Sequence, residues 1–194
     1  MTIQRCGWCS DDPTYIAYHD HEWGRPIHDE HALFELLCLE GQQAGLSWIT
    51  VLKKRPAYRE HFFQYSIEQI AKLSDSTLEE KLKDPKLIRH RGKLTAIRSH
   101  AQAWLALKQQ GIDVVKWLHR FAISPPLNHS ITNFRQAPTQ TPESENMSKA
   151  LKKAGFKFVG PTICYAFMQS SGMVNDHENH CDFKITSTFE THHL

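Results

Sequence analysis

The chain lacks the features that mark a membrane protein, a secreted one or a repeat array. No stretch approaches the roughly 18 consecutive apolar residues of a spanning helix, mean hydropathy is −0.50, and the opening MTIQRCGW has no apolar signal core. No membrane partner is expected, and a cytoplasmic location is the default. Sustained apolar-polar alternation is missing, which argues against a β architecture, and no internal repeat is visible. A strong charge imbalance is missing too: 23 Lys and Arg face 21 Asp and Glu, a formal net of +2. The whole chain therefore does not announce a polyanionic partner, and only local clustering of cations is informative. The five cysteines are an odd number without an export signal, so a disulfide framework is not expected and metal ligation or free thiols are preferred.

What is present fits 194 residues folded as a single domain with a real core, 40% of them hydrophobic. The rest of the chain is organised around residues 29–54. Asp29 suits an N-cap, and Leu33, Leu36 and Leu37 recur at helical spacing. Glu40 falls on that same apolar face, where a carboxylate is seldom buried unless it is paired or functional. Alternatively the helix frays at Gly41 and Glu40 reaches water. Gly41 and Gly45 are expected to break the helix, and Ser47 to cap a new one that begins at Trp48. Leu46 and Val51 are then placed as a hydrophobic staple.

The remaining pattern is mostly helical. Residues 1–28 read as irregular and aromatic-rich, with Trp8, Tyr15, Tyr18 and Trp23 among polar neighbours. Ser66 to Gln69 forms a capping box, Ser74 starts a short helix ending near Asp84 and Pro85, and an apolar face runs from Leu94 to a stop at Gly111. Gly92 marks either a turn or a tolerated helix glycine. A further helix is expected over 113–121, and residues 123–146 read as a loop with at most one short turn. Residues 147–154 form a helix capped by Gly155, and Pro161 opens the next, which runs to about Gly172. Two helices joined by GFKFVG make a helical hairpin. Gly155 and Gly160 let its backbone amides approach an anion at a helix N-terminus.

Two basic runs are candidates for a phosphate-binding surface, the alternative being solvated helix faces. Residues 81–98 carry seven Lys or Arg against one acid, and residues 149–157 carry Lys149, Lys152, Lys153 and Lys157 with none. Cys6 and Cys9 form a C-x-x-C that does not follow a strand of a βαβ unit, so a redox role is set aside. Cys6 and His19 near one end, with His177, His180 and Cys181 near the other, are ligands of the types tetrahedral zinc takes. Their spacing matches no standard zinc finger, nor the H-E-x-x-H of metalloproteases.

Taken together, RCGW, YIAYHDHEWG, the stretch 29–54, RHRGK, SKALKKAGFKFVGPTICYAFMQ and NDH closely resemble the 3-methyladenine DNA glycosylase I family, from about Arg5 to Cys181. The resemblance implies an all-α, helix-hairpin-helix glycosylase fold whose irregular N- and C-terminal segments, 1–28 and 173–181, meet at a zinc site. Residues 182–194 would then be a mobile tail. The family's zinc ligands map onto Cys6, His19, His177 and Cys181, with Cys9 and His180 as extra donors that could compete. Two Cys and two His close the coordination shell, so one structural zinc per chain is expected.

The implied activity is monofunctional: hydrolysis of the N-glycosidic bond of 3-methyladenine in alkylated double-stranded DNA, by a monomer. N3-methylation makes the base cationic and a good leaving group, so recognition is the main task. Glu40 is assigned to the cation, Trp48 to stacking, Tyr18 to hydrogen bonding, and Tyr15, Trp8 and Trp23 to the pocket wall. Gly155, Lys157, Gly160 and Lys153 are assigned to phosphates, and Leu46 either to the staple or to a wedge that fills the gap left by the flipped base. The family lacks the catalytic aspartate found after the hairpin in many related glycosylases. Asp176 is accordingly read as a cap or a support for His177, with a role facing DNA as the lesser alternative. No lysine is placed as a Schiff-base nucleophile, so no lyase activity is expected. The rivals from other classes are a zinc-stabilised DNA-binding protein without catalysis and a zinc hydrolase with an open metal site.

Overall fold

The computed structural model describes residues 2–122 and 127–184. Among them lie nine α-helices: α1 (Pro13–His21), α2 (Glu30–Gln43), α3 (Trp48–Tyr58), α4 (Ile67–Ala71), α5 (Asp75–Leu82), α6 (Arg91–Gln109), α7 (Val114–His119), α8 (Pro142–Ala154) and α9 (Pro161–Ser170). The extended structure is one parallel pair, β1 (Leu127–Asn128) against β2 (Val174–Asn175), too short to alter the all-α class.

Four of the helix starts were legible in sequence. Asp29, Ser66, Ser74 and Asp113 each accept a backbone N–H in the first turn of their helices, and Ser66 with Gln69 completes the expected capping box. Ser47 takes the N-cap position of α3 without a cap bond of its own, because its hydroxyl pairs with Thr50 Oγ1 at 2.7 Å. Gly92 lies inside α6.

Three expectations need correction. Residues 1–28 are not wholly irregular, since α1 is capped by Asp12. Its buried side chains, Tyr18, His19 and Asp20, are consecutive and give no helical period to read. Gly41 does not break α2; it is buried inside the helix against Phe158. Helix α8 begins at Pro142, inside the stretch read as loop, because Thr141 and Ser144 form a capping box among residues that look like loop composition. The start of that expected loop, residues 123–126, lies outside the described residues.

Helix α2 is the central element, packing against α3, α6, α7 and α9. Leu33, Phe34 and Leu37 are fully buried on it, and Trp104 of α6, also fully buried, meets Phe34 edge-on at 5.5 Å. Each such ring contributes roughly 2 to 3 kcal/mol of transfer free energy. The Trp104 indole N–H is satisfied by Glu30 Oε1 at 2.8 Å. Helices α4 and α5 pack on α6, α1 on α3, and α8 on α9. Gly172, at φ +71°, lets the chain after α9 lie on the Arg25–Pro26 backbone, where a Cβ would come within 2.7 Å. That close approach brings the two ends of the sequence together.

Candidate active site and metal centre

Because α2 continues through Gly41, Glu40 stays on the apolar face one turn after Leu37 and is buried, 2% exposed, rather than frayed into solvent. Its Oε1 accepts a 2.8 Å hydrogen bond from Ser170 Oγ at the end of α9, while Oε2 is buried without a partner. Burial pushes the carboxyl up to about 8, with the Ser170 bond only partly offsetting it. Trp48, at the start of α3, has an indole Nε1 that is likewise buried and unpartnered. Both line a cavity of about 310 Å³ whose walls include Trp8, Tyr15, Tyr18 and Trp23. All six residues read from sequence as catalytic or base-binding therefore converge on one hollow.

The rings are arranged as a mutual clamp. Trp8 meets Trp23 at 4.9 Å and Tyr15 at 5.1 Å, and Tyr18 meets Trp48 at 5.5 Å. Burial, and then the Glu40 carboxylate, hold the Tyr18 phenol well above its usual pKa, so it remains a neutral hydroxyl. Ser170 ties the end of α9 to the pocket's acid. Nothing in the sequence distinguishes it from any other serine at a helix end.

Asp176 also lines the cavity, and the reading of it as a support for His177 is not what the structure shows. Its carboxylate accepts from Tyr165 Oη at 2.6 Å, Gln169 Nε2 at 2.8 Å and His129 Nδ1 at 2.6 Å, which leaves it saturated by other partners. The ligand support is instead Asp20, which takes His19 Nδ1 at 2.8 Å and is itself gripped in a fork by Arg5.

Cys6, His19, His177 and Cys181 form a buried cluster whose four donor atoms lie within 4.8 Å of one another. Cys6 Sγ and Cys181 Sγ each sit 3.4 Å from His177 Nδ1, and Cys181 Sγ is 3.5 Å from His19 Nε2. With Asp20 holding the far nitrogen of His19, this set is able to hold a metal ion. Cys9 and His180 stand outside it: the first turns to Ser10 O and the second to Arg5 O. Glu178, unremarked in sequence, is buried and accepts from the Gly7 and Phe134 amides, so it pins the N-terminal turn over the cluster. The chain leaving the cluster is held as well. Asp182 N donates to Gln4 O, and Lys184 Nζ donates to His129 O and His177 O, so any tail begins after residue 184, outside the described residues.

The hairpin between α8 and α9 has Gly155 in the left-handed region at φ +101° and Gly160 at the N-cap of α9, where a Cβ would meet nothing within 4 Å. Lys149, Lys152, Lys153 and Lys157 are all exposed, and among the described residues the lysine ion pairs lie elsewhere, at Lys53, Lys83, Lys108 and Lys116. The turn is held from below by fully buried His100, whose Nε2 lies 2.8 Å from Lys157 O.

The basic run 81–98 is different, because much of its charge is spent internally. Lys93 is buried with Nζ donating to Gln42 O and Ala44 O at 2.8 and 2.7 Å, capping α2, while Arg91 pairs with Glu79 and Arg98 with Asp75. Leu46 is 42% exposed and is not packed into the core as a staple would be.

A helical bundle with a glycine-capped hairpin and, beside it, an aromatic hollow lined by a buried acid is the architecture of a DNA glycosylase. The family model described as methyladenine glycosylase matches residues 8–185. The chain is 51% identical over 92% of its length to DNA-3-methyladenine glycosylase 1 of Escherichia coli K12, of which it covers 96%. Among solved structures, it matches a 3-methyladenine DNA glycosylase I at TM-score 0.90 and 52% identity, covering 92% of this chain and 98% of that one. It also matches the Staphylococcus aureus 3-methyladenine DNA glycosylase I at TM-score 0.89 and 35% identity, covering 96% and 100%. This chain belongs to the methyladenine glycosylase family.

Proposed function

We propose that the protein is a monofunctional glycosylase that removes 3-methyladenine from alkylated double-stranded DNA and is stabilised by one structural zinc ion. The observation that carries this reading is a pair of unsatisfied groups facing one hollow. Among the described residues, the two buried side-chain N or O atoms without a hydrogen-bond partner are Glu40 Oε2 and Trp48 Nε1, and both residues line the same aromatic cavity. A buried acceptor without a partner costs about 1 to 3 kcal/mol, a cost that a ligand able to pair with it would remove.

A flipped, N3-methylated adenine is a flat cation. Trp48 stacks on it, Tyr18 offers a neutral hydroxyl, and Glu40 opposes its charge where water is excluded and the attraction is strong. Approach of the cation favours the ionised form of Glu40, so binding draws its pKa down from about 8. Neutral adenine supplies no such compensation and leaves a carboxyl to be desolvated for nothing. On cleavage the C1′–N9 bonding pair moves onto the base and neutralises it, the positive charge passes to the sugar, and water adds its hydroxyl at C1′ while its other proton leaves to solvent. Hydrolysis proceeds without a Schiff base and hence without lyase chemistry.

Zinc is the metal that suits the cluster. Bonds of about 2.0 to 2.1 Å to nitrogen and 2.3 Å to sulfur in a tetrahedron would set N and S about 3.5 Å apart, and three of the four such pairs here stand at 3.4, 3.4 and 3.5 Å. Four protein ligands leave no position for substrate, so zinc supplies a crosslink and not Lewis-acid chemistry. Phosphates are met by Gly155, Lys157, Gly160 and Lys153, and Leu46 fills the gap in the stack. The deciding experiment is to treat duplex DNA with a methylating agent and identify the free bases the purified protein releases. Release of 3-methyladenine is expected. A protein that binds DNA but releases no base would instead be a zinc-stabilised binding module.

A further inference from the structure

Phe158 has a conformation that its own role in the fold does not account for. At φ +52° it is the one non-glycine residue with a positive φ among the described residues, a position that an aromatic side chain rarely adopts. Such an outlier persists only when its surroundings over-determine it, and here they do. Phe156 and Val159 on either side are buried in the core, and His100 Nε2 lies within hydrogen-bond reach of both the N–H and the C=O of Lys157 just before it. The outcome is nevertheless an exposed ring, 36% accessible, at the tip of the hairpin.

Two glycines, Gly41 and Gly92, lie against Phe158. A Cβ at Gly41 would lie 3.6 Å from Phe158 Cβ, and one at Gly92 would lie 3.7 Å from Phe158 Cζ. His90 stands edge-on to it at 6.0 Å. Gly92 is followed by Lys93, whose buried ammonium grips Ala44 O at the start of the turn that carries Leu46. The buried Lys93 thus ties the turn that carries the exposed Leu46 to the start of α6, against which Phe158 lies. Lys157, next to Phe158 in sequence, is exposed, as is Lys153 one turn earlier. An apolar tip beside exposed lysines that form no ion pair among the described residues suits a duplex better than a protein partner.

We propose that Phe158 is a second apolar contact to duplex DNA, seated against the sugar and base edges beside the nucleotide that Leu46 displaces, and that the strained hairpin tip exists to present it. The inference rests on the glycosylase reading for its geometry but is tested separately from it. The probes are a short undamaged duplex and the matching single strand, with affinity read by fluorescence anisotropy at several salt concentrations.

Phe158→Ala should weaken duplex binding about tenfold, the size of one apolar anchor, and leave single-strand binding and the salt slope unchanged. Phe158→Leu should retain most of the affinity. Phe158→Asn is the discriminating variant: asparagine tolerates positive φ, so its Tm should equal or exceed that of the parent while duplex affinity falls as in the alanine variant. Duplex affinity unchanged in both the Ala and Asn variants, or losses that follow Tm across the three, would overturn the proposal. If the parent protein released no base from methylated DNA, the glycosylase reading would fail while the duplex comparison still judged Phe158.

Discussion

Glu40 and Asp176 line the same cavity and are almost equally sealed from solvent, at 2% and 4% exposure, yet their surroundings are opposite. Asp176 is saturated by a tyrosine, a glutamine and a histidine, whereas Glu40 receives one serine hydroxyl and keeps an oxygen without a partner. A buried carboxylate with three donors is part of the wall. One that lacks donors stores unfavourable energy that a cationic ligand can release. The same contrast holds on a larger scale between the end of the molecule where the termini meet and the pocket itself. Around Cys6, His19, His177 and Cys181 the polar groups are partnered, down to the Arg5–Asp20–His19 chain. One region serves stability and the other gives some up for recognition.

The largest effect should come from breaking the satisfied region. Cys181→Ala removes a ligand and the clamp between the two ends of the chain, and should lower unfolding free energy on the order of 3 to 5 kcal/mol, by analogy with a long-loop crosslink. Denaturation curves and elemental analysis read this out: zinc at one atom per chain in the parent and none in the variant. Base release per folded molecule should change little, and a fully stable, metal-free parent protein would rule the clamp out.

Neutralising the acid of the unsatisfied region should act with the opposite sign on stability. Glu40→Gln removes the charge and keeps the size, so base release should fall about 10- to 1,000-fold while the fold survives. Because the folded pKa of Glu40, about 8, lies above the value near 4.5 of an unhindered carboxyl, the folded state binds this proton more tightly. That contribution to stability is complete below pH 4.5 and is lost as pH rises to about 8. The stability advantage of the Glu40→Gln variant over the parent should therefore grow across that interval, and parent kcat/KM should climb toward pH 8 while the variant's stays flat. Equal activity of the two proteins would reduce the acid to a helix-end residue.

Trp48→Leu keeps apolar volume but removes the flat face. Affinity for free 3-methyladenine should fall on the order of 1 to 3 kcal/mol, by calorimetry, even with Glu40 intact. Leu46→Ala should spare Tm and reduce excision from duplex more than from single strands; a lower Tm with unchanged preference would restore the staple. The smallest effect is expected at Lys153→Glu: a few-fold weaker binding to any sequence, with the salt slope shallower by about one for each phosphate no longer neutralised. An affinity indifferent to ionic strength would take the hairpin off the phosphate surface.

The sequence by itself determined what depends on local chemistry. Asp29, Ser66, Ser74 and Asp113 announced their helices, because a cap needs only a side chain and the amides of the next turn. Glu40 stood out because a carboxylate on a leucine stripe contradicts its own pattern. Helix α1 stayed hidden since three consecutive residues of it are buried, which happens only when neighbours enclose the helix end on several sides. The charge run 81–98 misled for the converse reason: a lysine's formal charge is visible in sequence, but whether it meets solvent or, like Lys93, two backbone carbonyls is set by a helix some fifty residues away.

Tertiary structure alone decided which acid keeps an unpaired oxygen. The donors that saturate Asp176 come from α9 and from the segment at His129, and the single donor to Glu40 comes from Ser170, 130 positions along the chain. Hydrogen-bond satisfaction is a property of what surrounds a group in space, and no local pattern encodes a partner that distant.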